Sequence, residues 1–400
     1  MKILIYSHSF APNIGGVETY AMLLANGLTQ KAGVHTVDVT LVTQTPKDKF
    51  NDGEMPFSVV RRPGLARLVR IIRHSDVVHL AGPVMAPLLL SILLRKPVVI
   101  EHHGYQASCP NGLLLFHPRE TACPDHFMRH EYLKCLQCNT SESGLFNSAR
   151  MFLMMWPRRW LCRHASVNLC ITHHVARRLR LPHSTVVYYG VPSAGENAVV
   201  PGGSTRQIAG QSARPTTLSV AFVGRLVREK DVPTLIEAVR MAQLEGCPIA
   251  LKVIGDGPDR NRVEATIANS HFAPPVVLTG YLRGESLREA LRDVAVVVIP
   301  TMIEETAGLA VMEQMSRGRA VIVSDIGGLA EVAGDSGLKF PPGSAATLAQ
   351  CLRKLFEEPE LLAELGVRAR NRSAAFFTLE HMIEEHQRIF EGLVRNAARG

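Results

Sequence analysis

Short runs of continuous apolar residues alternate along the chain with longer stretches whose apolar positions recur every three or four residues. That is the pattern of buried parallel strands linked by amphipathic helices. In the first half the pattern predicts strands at Lys2–Tyr6, Thr36–Val42, Val77–Leu80, Val98–Glu101, Ser166–Cys170 and Thr185–Tyr188. Helical periodicity fills Val17–Leu28, Pro63–Arg73 and Ser148–Cys162 between them. A second series follows, with strands at Ser219–Val223, Ile249–Ile254, Val276–Thr279, Ala295–Ile299, Ala320–Ser324 and Leu338–Phe340. Its helices start near Val232, Asp259, Ser286, Ala307 and Leu329, and from Glu358 to Val394 the tail reads as helix. Two such series predict two doubly wound α/β domains. The first covers 1–195 with an insertion at 105–140, and the second covers 216–377. A linker over 196–215 joins them, and the final helix, 378–400, is expected to pack back on the first domain.

Length and composition agree with this division. A chain of 400 residues, 46% hydrophobic and 20% charged, suits two buried cores. Residues 1–200 carry 21 Lys and Arg against 12 Asp and Glu, and the remainder 23 against 24, so the net charge of +8 belongs to the first half. An anionic partner for that half follows: membrane phospholipid first, then a lipid-pyrophosphate acceptor. Nucleic acid fits poorly, because the basic stretches carry no recognition module. The opening apolar run, Ile3–Tyr6, is too short for a signal peptide, and Leu80–Leu94 is interrupted by Pro83 and Pro87 and falls short of the roughly 20 residues that span a bilayer. A cytoplasmic protein, peripheral on a membrane face, is therefore expected.

The chemistry gathers at strand ends. Phe222-Val-Gly224-Arg225-Leu226 runs from a strand into a glycine turn, with Lys230 five residues after Arg225, placing two cations where a diphosphate leaving group would need them. Gly255 and Gly257 form a second such turn, and Gly280-Tyr281 ends a third strand. After the strand that closes at Pro300, Glu305 and Glu313 stand eight residues apart, a little over two helical turns, on one side of a helix whose start at Ala307-Gly308-Leu309 offers free backbone N–H groups. Taken alone, two such carboxylates are usually helix-surface charges. In the first domain Gly15 and Gly16 open a helix after the first strand, and His102-His103 follow the strand Pro97–Glu101.

In this order the motifs resemble those of glycosyltransferase family 4, retaining enzymes of the two-domain GT-B fold. The matching elements are Gly224-Arg225-Leu226 with Lys230, Ile254–Pro258, Gly280-Tyr281, Glu305 with Glu313, and Gly327-Gly328, together with the Pro12…Gly15-Gly16-Val17-Glu18 loop. The resemblance implies two Rossmann-like domains facing each other across a cleft that closes over the donor. It implies that Arg225 and Lys230 bind the donor diphosphate, that Glu305 lies near the transferred sugar and that Glu313 bonds the ribose. It gives the active-site histidine role to His103, with His102 as the alternative. Retention of anomeric configuration, by front-side attack assisted by the leaving phosphate, is likewise implied. The donor base is expected to be UDP, with GDP the alternative, and the acceptor a glycan or lipid-linked species in polysaccharide or glycoconjugate synthesis. Thr306-Ala307 replaces the family's frequent Gly-Phe, which bears on sugar identity. No Asp-x-Asp occurs in the chain, so catalysis is expected to need no metal cofactor. A nucleotide-sugar epimerase, or a non-catalytic nucleotide-sugar or lipid binder, are the competing readings.

Four cysteines, Cys109, Cys123, Cys135 and Cys138, fall within thirty residues. Cys135-x2-Cys138 has zinc-knuckle spacing, and the set reads either as a structural zinc site or as reduced, unligated thiols. Arg61–Arg73 and Met151–Arg163 interleave cations with aliphatic and aromatic residues, which suits helices lying on anionic lipid. On that reading Arg61, Arg62, Arg158 and Arg159 face the lipid.

Overall fold

The structure is a computed structural model and describes residues 1–13, 15–30, 37–48, 50–192, 216–269 and 271–397. The predicted linker lies outside the described residues. The chain divides into two compact units, residues 1–119, 123–190 and 378–400 in one, and 120–122 and 191–377 in the other.

The first unit begins with β1 (Lys2–Ser7), α1 (Gly16–Gln30), β2 (Asp38–Thr43), β3 (Ser58–Arg61) and α2 (Leu65–His74). It continues through β4 (Val77–Ala81), α3 (Met85–Leu93) and β5 (Val98–His102). The short strands β6 (Leu115–Phe116) and β7 (Thr121–Ala122) come next along the chain, β7 being counted with the other unit, then α4 (Tyr132–Leu153) and α5 (Met155–Arg163). Strand β8 (Val167–Cys170), α6 (His173–Leu179) and β9 (Ser184–Val186) complete this run. Seven strands form one sheet in the order β3-β2-β1-β4-β5-β8-β9, every pairing parallel. Helices cover both faces, and β4 and β5 are buried throughout, His79, Glu101 and His102 included.

The second unit repeats the plan: β10 (Leu218–Val223), α7 (Val232–Leu244), β11 (Ile249–Ile254), α8 (Arg260–Ala268), β12 (Val277–Gly280) and α9 (Gly284–Ala290). After these come β13 (Val296–Ile299), α10 (Leu309–Ser316), β14 (Ala320–Ser324), α11 (Gly327–Ala333), β15 (Leu338–Phe340), α12 (Ala345–Glu357) and α13 (Pro359–Phe376). Its parallel sheet runs β12-β11-β10-β13-β14-β15. In both sheets the strand order reverses beside the first strand, between β1 and β4 and between β10 and β13. Ligands bind outside the carboxyl ends of strands at such reversals.

The tail is two helices rather than one. The chain leaves helical geometry at Phe377, whose ring is fully buried and whose carbonyl oxygen accepts from Val191 N–H at 2.8 Å. Thr378 Oγ1 then accepts from the His381 amide, a hydroxyl cap that starts α14 (Leu379–Ala397). Helix α14 belongs to the first unit and lies against α1 and β4. It buries Met382, Ile383, His386 and Phe390 along one face. Gly190 passes so close to this helix that a Cβ there would come within 2.5 Å of the Leu379 Cα.

The basic–apolar stretches differ from the sequence expectation. Arg159 turns inward and donates to the carbonyl oxygens of Ala107, Leu179 and Arg180. Arg158 donates to the Gln106 carbonyl, and Arg61 is paired with Asp52 at 2.7 Å and bonded to the Thr45 and Pro46 carbonyls. A buried guanidinium with five donors can satisfy several carbonyls at once, and these three act as internal braces. The cations of these stretches that do reach the surface are Arg62, Arg67, Arg70, Arg73 and Arg163.

Candidate active site

In the second unit the turn after β10 and the loop after β13 flank the strand-order reversal. Backbone bonds fix both. Gly224 N–H donates to the Ile254 carbonyl at 3.0 Å and Leu226 N–H to that of Asp256 at 2.9 Å, so the Arg225 turn is laid on the Gly255–Gly257 turn. A Cβ at Gly255 would sit 1.8 Å from the Gly224 carbonyl oxygen, and one at Gly257 2.2 Å from that of Leu226. Both positions have positive φ, so only glycine permits the two turns to touch. The Glu229 carbonyl accepts from Met302 N–H at 2.9 Å and from Thr301 Oγ1 at 3.0 Å, tying the turn that carries Lys230 to the loop that carries Glu305.

The consequence is a side-chain contact across the reversal: Lys230 Nζ donates to Glu305 Oε1 at 2.7 Å. Both groups keep some contact with solvent, 23% and 13% of their side-chain surface, so a charged ligand can still reach them. Arg225 is exposed. Behind Glu305 the chain is again packed on glycine. Gly328 N–H donates to the Glu305 carbonyl at 2.6 Å, and a Cβ at Gly328 would lie 2.0 Å from the Thr306 carbonyl oxygen. Gly308, left-handed at φ 88°, opens α10, and Ala307 is buried beneath it.

Glu313 lies on α10 and is half-buried. Loss of water raises its carboxyl above the usual range, partly offset by Arg317. Among the described residues Lys230–Glu305 is the direct side-chain contact within the set Arg225, Lys230, Glu305 and Glu313; the other two are positioned by their backbone. Tyr281 stands exposed past the end of β12.

In the first unit Gly15 and Gly16 start α1. The two histidines are told apart by strand register. His102 is the last residue of β5, opposite Cys170, fully buried, with Nε2 2.9 Å from Asn168 Oδ1. Asn168 spends its amide donors on the carbonyls of Cys162 and Pro182, so its oxygen accepts from His102. Burial pushes His102 down to about 4 despite that bond. His103 has left the strand and bonds Tyr189 Oη through Nδ1. It stacks on that ring and meets Tyr20 edge-on at 4.7 Å. Burial, then the neighbouring His102 and His386, push it down to about 3, so it is a neutral imidazole at physiological pH.

The four insertion cysteines are buried and none is in a disulfide. Cys138 donates to the Leu115 carbonyl at 3.2 Å, Cys109 to Asn111 Oδ1 at 2.9 Å, and Cys123 lies 3.5 Å from His126 Nδ1. Burial pushes Cys109 up to about 12. Among the described residues, the group that brings three ligand atoms within 4.8 Å of one another is not these four but His79, Glu101 and His386. Sequence reasoning missed this group, because its members read as core-facing positions on two strands and a helix.

Residues 14–194 match the family described as Glycosyltransferase Family 4, and residues 217–358 match Glycosyl transferases group 1. The chain belongs to glycosyltransferase family 4. It is 26% identical over 337 residues to the alpha-D-kanosaminyltransferase of Streptomyces kanamyceticus, covering 82% of this chain and 78% of that protein. It is 32% identical over 149 residues to the 2-deoxystreptamine glucosyltransferase of the same organism, a match spanning 36% of this chain and 38% of that protein. Among solved structures, Anabaena HepE in complex with UDP superposes with a TM-score of 0.71 at 16% identity, covering 98% of this chain and all of that one. The fold of this family-4 glycosyltransferase is GT-B, two Rossmann-like parallel-sheet domains.

Proposed function

We propose that this glycosyltransferase moves a sugar from a nucleoside-diphosphate donor, with retention of anomeric configuration, to a glycan or lipid-linked acceptor in polysaccharide or glycoconjugate synthesis. The observation that carries the reading is the Lys230–Glu305 contact across the strand-order reversal of the second unit, backed by two glycine turns. Lys230 and Arg225 offer fixed positive charge to a departing diphosphate, and fixed charge in a partly desolvated site is worth more than the same charge in water. Glu305 holds Lys230 in place until the donor arrives and is then released to accept from sugar hydroxyls. The free N–H groups at the start of α10 add a second point of attraction for phosphate, so the leaving group needs no metal ion. Glu313 takes the ribose. UDP is favoured because HepE was solved with UDP and with UDP-glucose; the similarity to a GDP-mannose-dependent mannosyltransferase keeps GDP as the alternative.

The acceptor side is read from the surface of the first unit. No described helix is long and apolar enough to cross a membrane. Helices α2, α3, α5 and α4 are neighbours in turn, and they expose Leu65, Leu93, Phe146, Trp156 and Trp160 beside Arg67, Arg70, Arg73 and Arg163. Exposed indoles and leucines among cations suit the interface of an anionic bilayer.

Two measurements test the reading. Incubation with a panel of nucleotide sugars, with and without acceptor, should show acceptor-dependent release of nucleoside diphosphate. Conversion of donor alone would instead identify an epimerase, and binding without turnover a non-catalytic protein. Binding to phosphatidylglycerol vesicles should weaken roughly 100-fold when Arg67, Arg70 and Arg73 become Gln, at about 1 kcal/mol for each cation. Unchanged vesicle binding discards the membrane acceptor.

A further inference from the structure

Four side chains from four different elements of the first unit converge on one buried point. Tyr20 comes from α1, His79 from β4, Glu101 from β5 and His386 from α14, and each is at most 2% exposed. His386 Nε2 lies 3.0 Å from Glu101 Oε2 and 2.9 Å from Tyr20 Oη. His79 Nε2 lies 3.4 Å from the same carboxylate oxygen and 3.3 Å from the same hydroxyl. Tyr20 Oη also bonds Glu101 Oε2.

The ring nitrogens of the two histidines converge on the same two oxygen atoms. His386 Nδ1 sits 2.7 Å from the Met382 carbonyl oxygen, which only accepts, so Nδ1 carries the hydrogen. His386 Nε2 is thereby aimed at Glu101 Oε2 and Tyr20 Oη. His79 Nδ1 has no hydrogen-bond partner among the described residues.

We propose that Tyr20, His79, Glu101 and His386 bind a divalent first-row cation, zinc by preference, in a closed structural site. Two imidazoles, a carboxylate and a phenol oxygen are a ligand set suited to it. Tetrahedral bonds of about 2.05 Å would set the ligand atoms roughly 3.3 Å apart; the contacts from the two histidines span 2.9 to 3.4 Å, and Tyr20 Oη and Glu101 Oε2, which lie closer together than that, would have to part on binding. The hydrogen bond from His386 Nδ1 to a backbone carbonyl is the orienting contact that metal-bound histidines make through their second nitrogen. On binding, the Tyr20 phenol releases its proton to solvent. Glu101 and the phenolate then balance the two positive charges, so the buried cluster is neutral. The ion would fasten α14 to α1 and the sheet, and hold Tyr20 against His103.

The test uses the full chain purified without a histidine tag. Elemental analysis should find one equivalent of bound metal, and Co2+ substitution should give the visible spectrum of a tetrahedral nitrogen–oxygen site without a sulfur charge-transfer band. His386→Ala should lose that equivalent while Cys135→Ser/Cys138→Ser keeps it. Glu101→Gln, which preserves shape, should weaken metal affinity at least about 10-fold even if His386→Ala does not fold. Three outcomes overturn the proposal: no stoichiometric metal in the wild type, retention of the metal in both His386→Ala and Glu101→Gln, or a sulfur-to-cobalt band that disappears with the cysteine variant.

Discussion

The two sheets share a strand order and use their strand ends in opposite ways. In the second unit, the loops after β10 and β13 bring Lys230 and Glu305 together where water still reaches them. In the first, the ends of β4 and β5 sink their ionisable groups: His79, Glu101 and His102 are all buried, and His103 is boxed between Tyr20 and Tyr189. A charge kept near the surface costs little to hold and is available to a ligand, whereas a charge buried without a partner is costly, so the inner histidines stay neutral. The same fold therefore offers one face built for an anion and one face built to position uncharged groups.

The comparison breaks most sharply at Lys230. Lys230→Ala should lower turnover by roughly 10^2- to 10^3-fold, as loss of one preorganised charge-stabilising group does. Glu305→Gln should cost less, because the amide still accepts a hydrogen bond from Lys230; single-turnover kinetics with the preferred donor measure both. Equal activity in Lys230→Ala would remove the charged face from the mechanism.

Gly257→Ala comes next. Its methyl would press on the Leu226 carbonyl oxygen from a left-handed backbone, a cost of about 1–3 kcal/mol. The damage should appear both in the melting temperature and in donor affinity, because the Arg225 turn moves with it. Gly246→Ala has open space around the Cβ at φ 84°; it should lose about 1 kcal/mol in stability and leave donor binding intact.

The smallest effect tests the inner face through pH. His102 stays neutral in the fold down to about pH 4 and His103 to about pH 3, while an unfolded histidine takes its proton near 6.5. The unfolded state therefore binds more protons below about pH 6.5, and each residue's contribution to stability is complete above that value and lost as pH falls toward the folded one. Thermal melts between pH 4 and 8 should show the decline, and His102→Asn should flatten it. His103→Ala should also lower turnover, whereas His102→Asn acts through stability alone.

How far the sequence revealed this depends on whether a residue's job leaves a local mark. The turn at Gly255–Gly257 was legible because a backbone-to-backbone approach demands glycine, and glycine is visible in the chain. The predicted strands were legible to within a residue or two, since strands such as β5 and β13 are buried on both faces, whereas the edge strand β3 (Ser58–Arg61), only half-buried, was missed. The Lys230–Glu305 contact joins positions 75 apart and follows from sheet order, which no local pattern carries. Arg159 could not be distinguished from a surface cation, because an amphipathic stretch looks the same whether its arginine points outward or reaches back to carbonyls. His386 was hidden for the converse reason: at helical spacing it reads as one more core-facing residue.

Helix α14 makes the first unit discontinuous in the gene. Its packing partners are encoded at the start of the chain, with Gly190 seated on the backbone of Thr378 and Leu379. A fragment ending at residue 190 would lack the helix whose Ile383 packs on Gly27 of α1, and a chimera exchanging donor domains must carry residues 378–397 from the parent of its N-terminal half. Recombination that respects only a single crossover would therefore yield aggregating hybrids, however well each donor site was preserved.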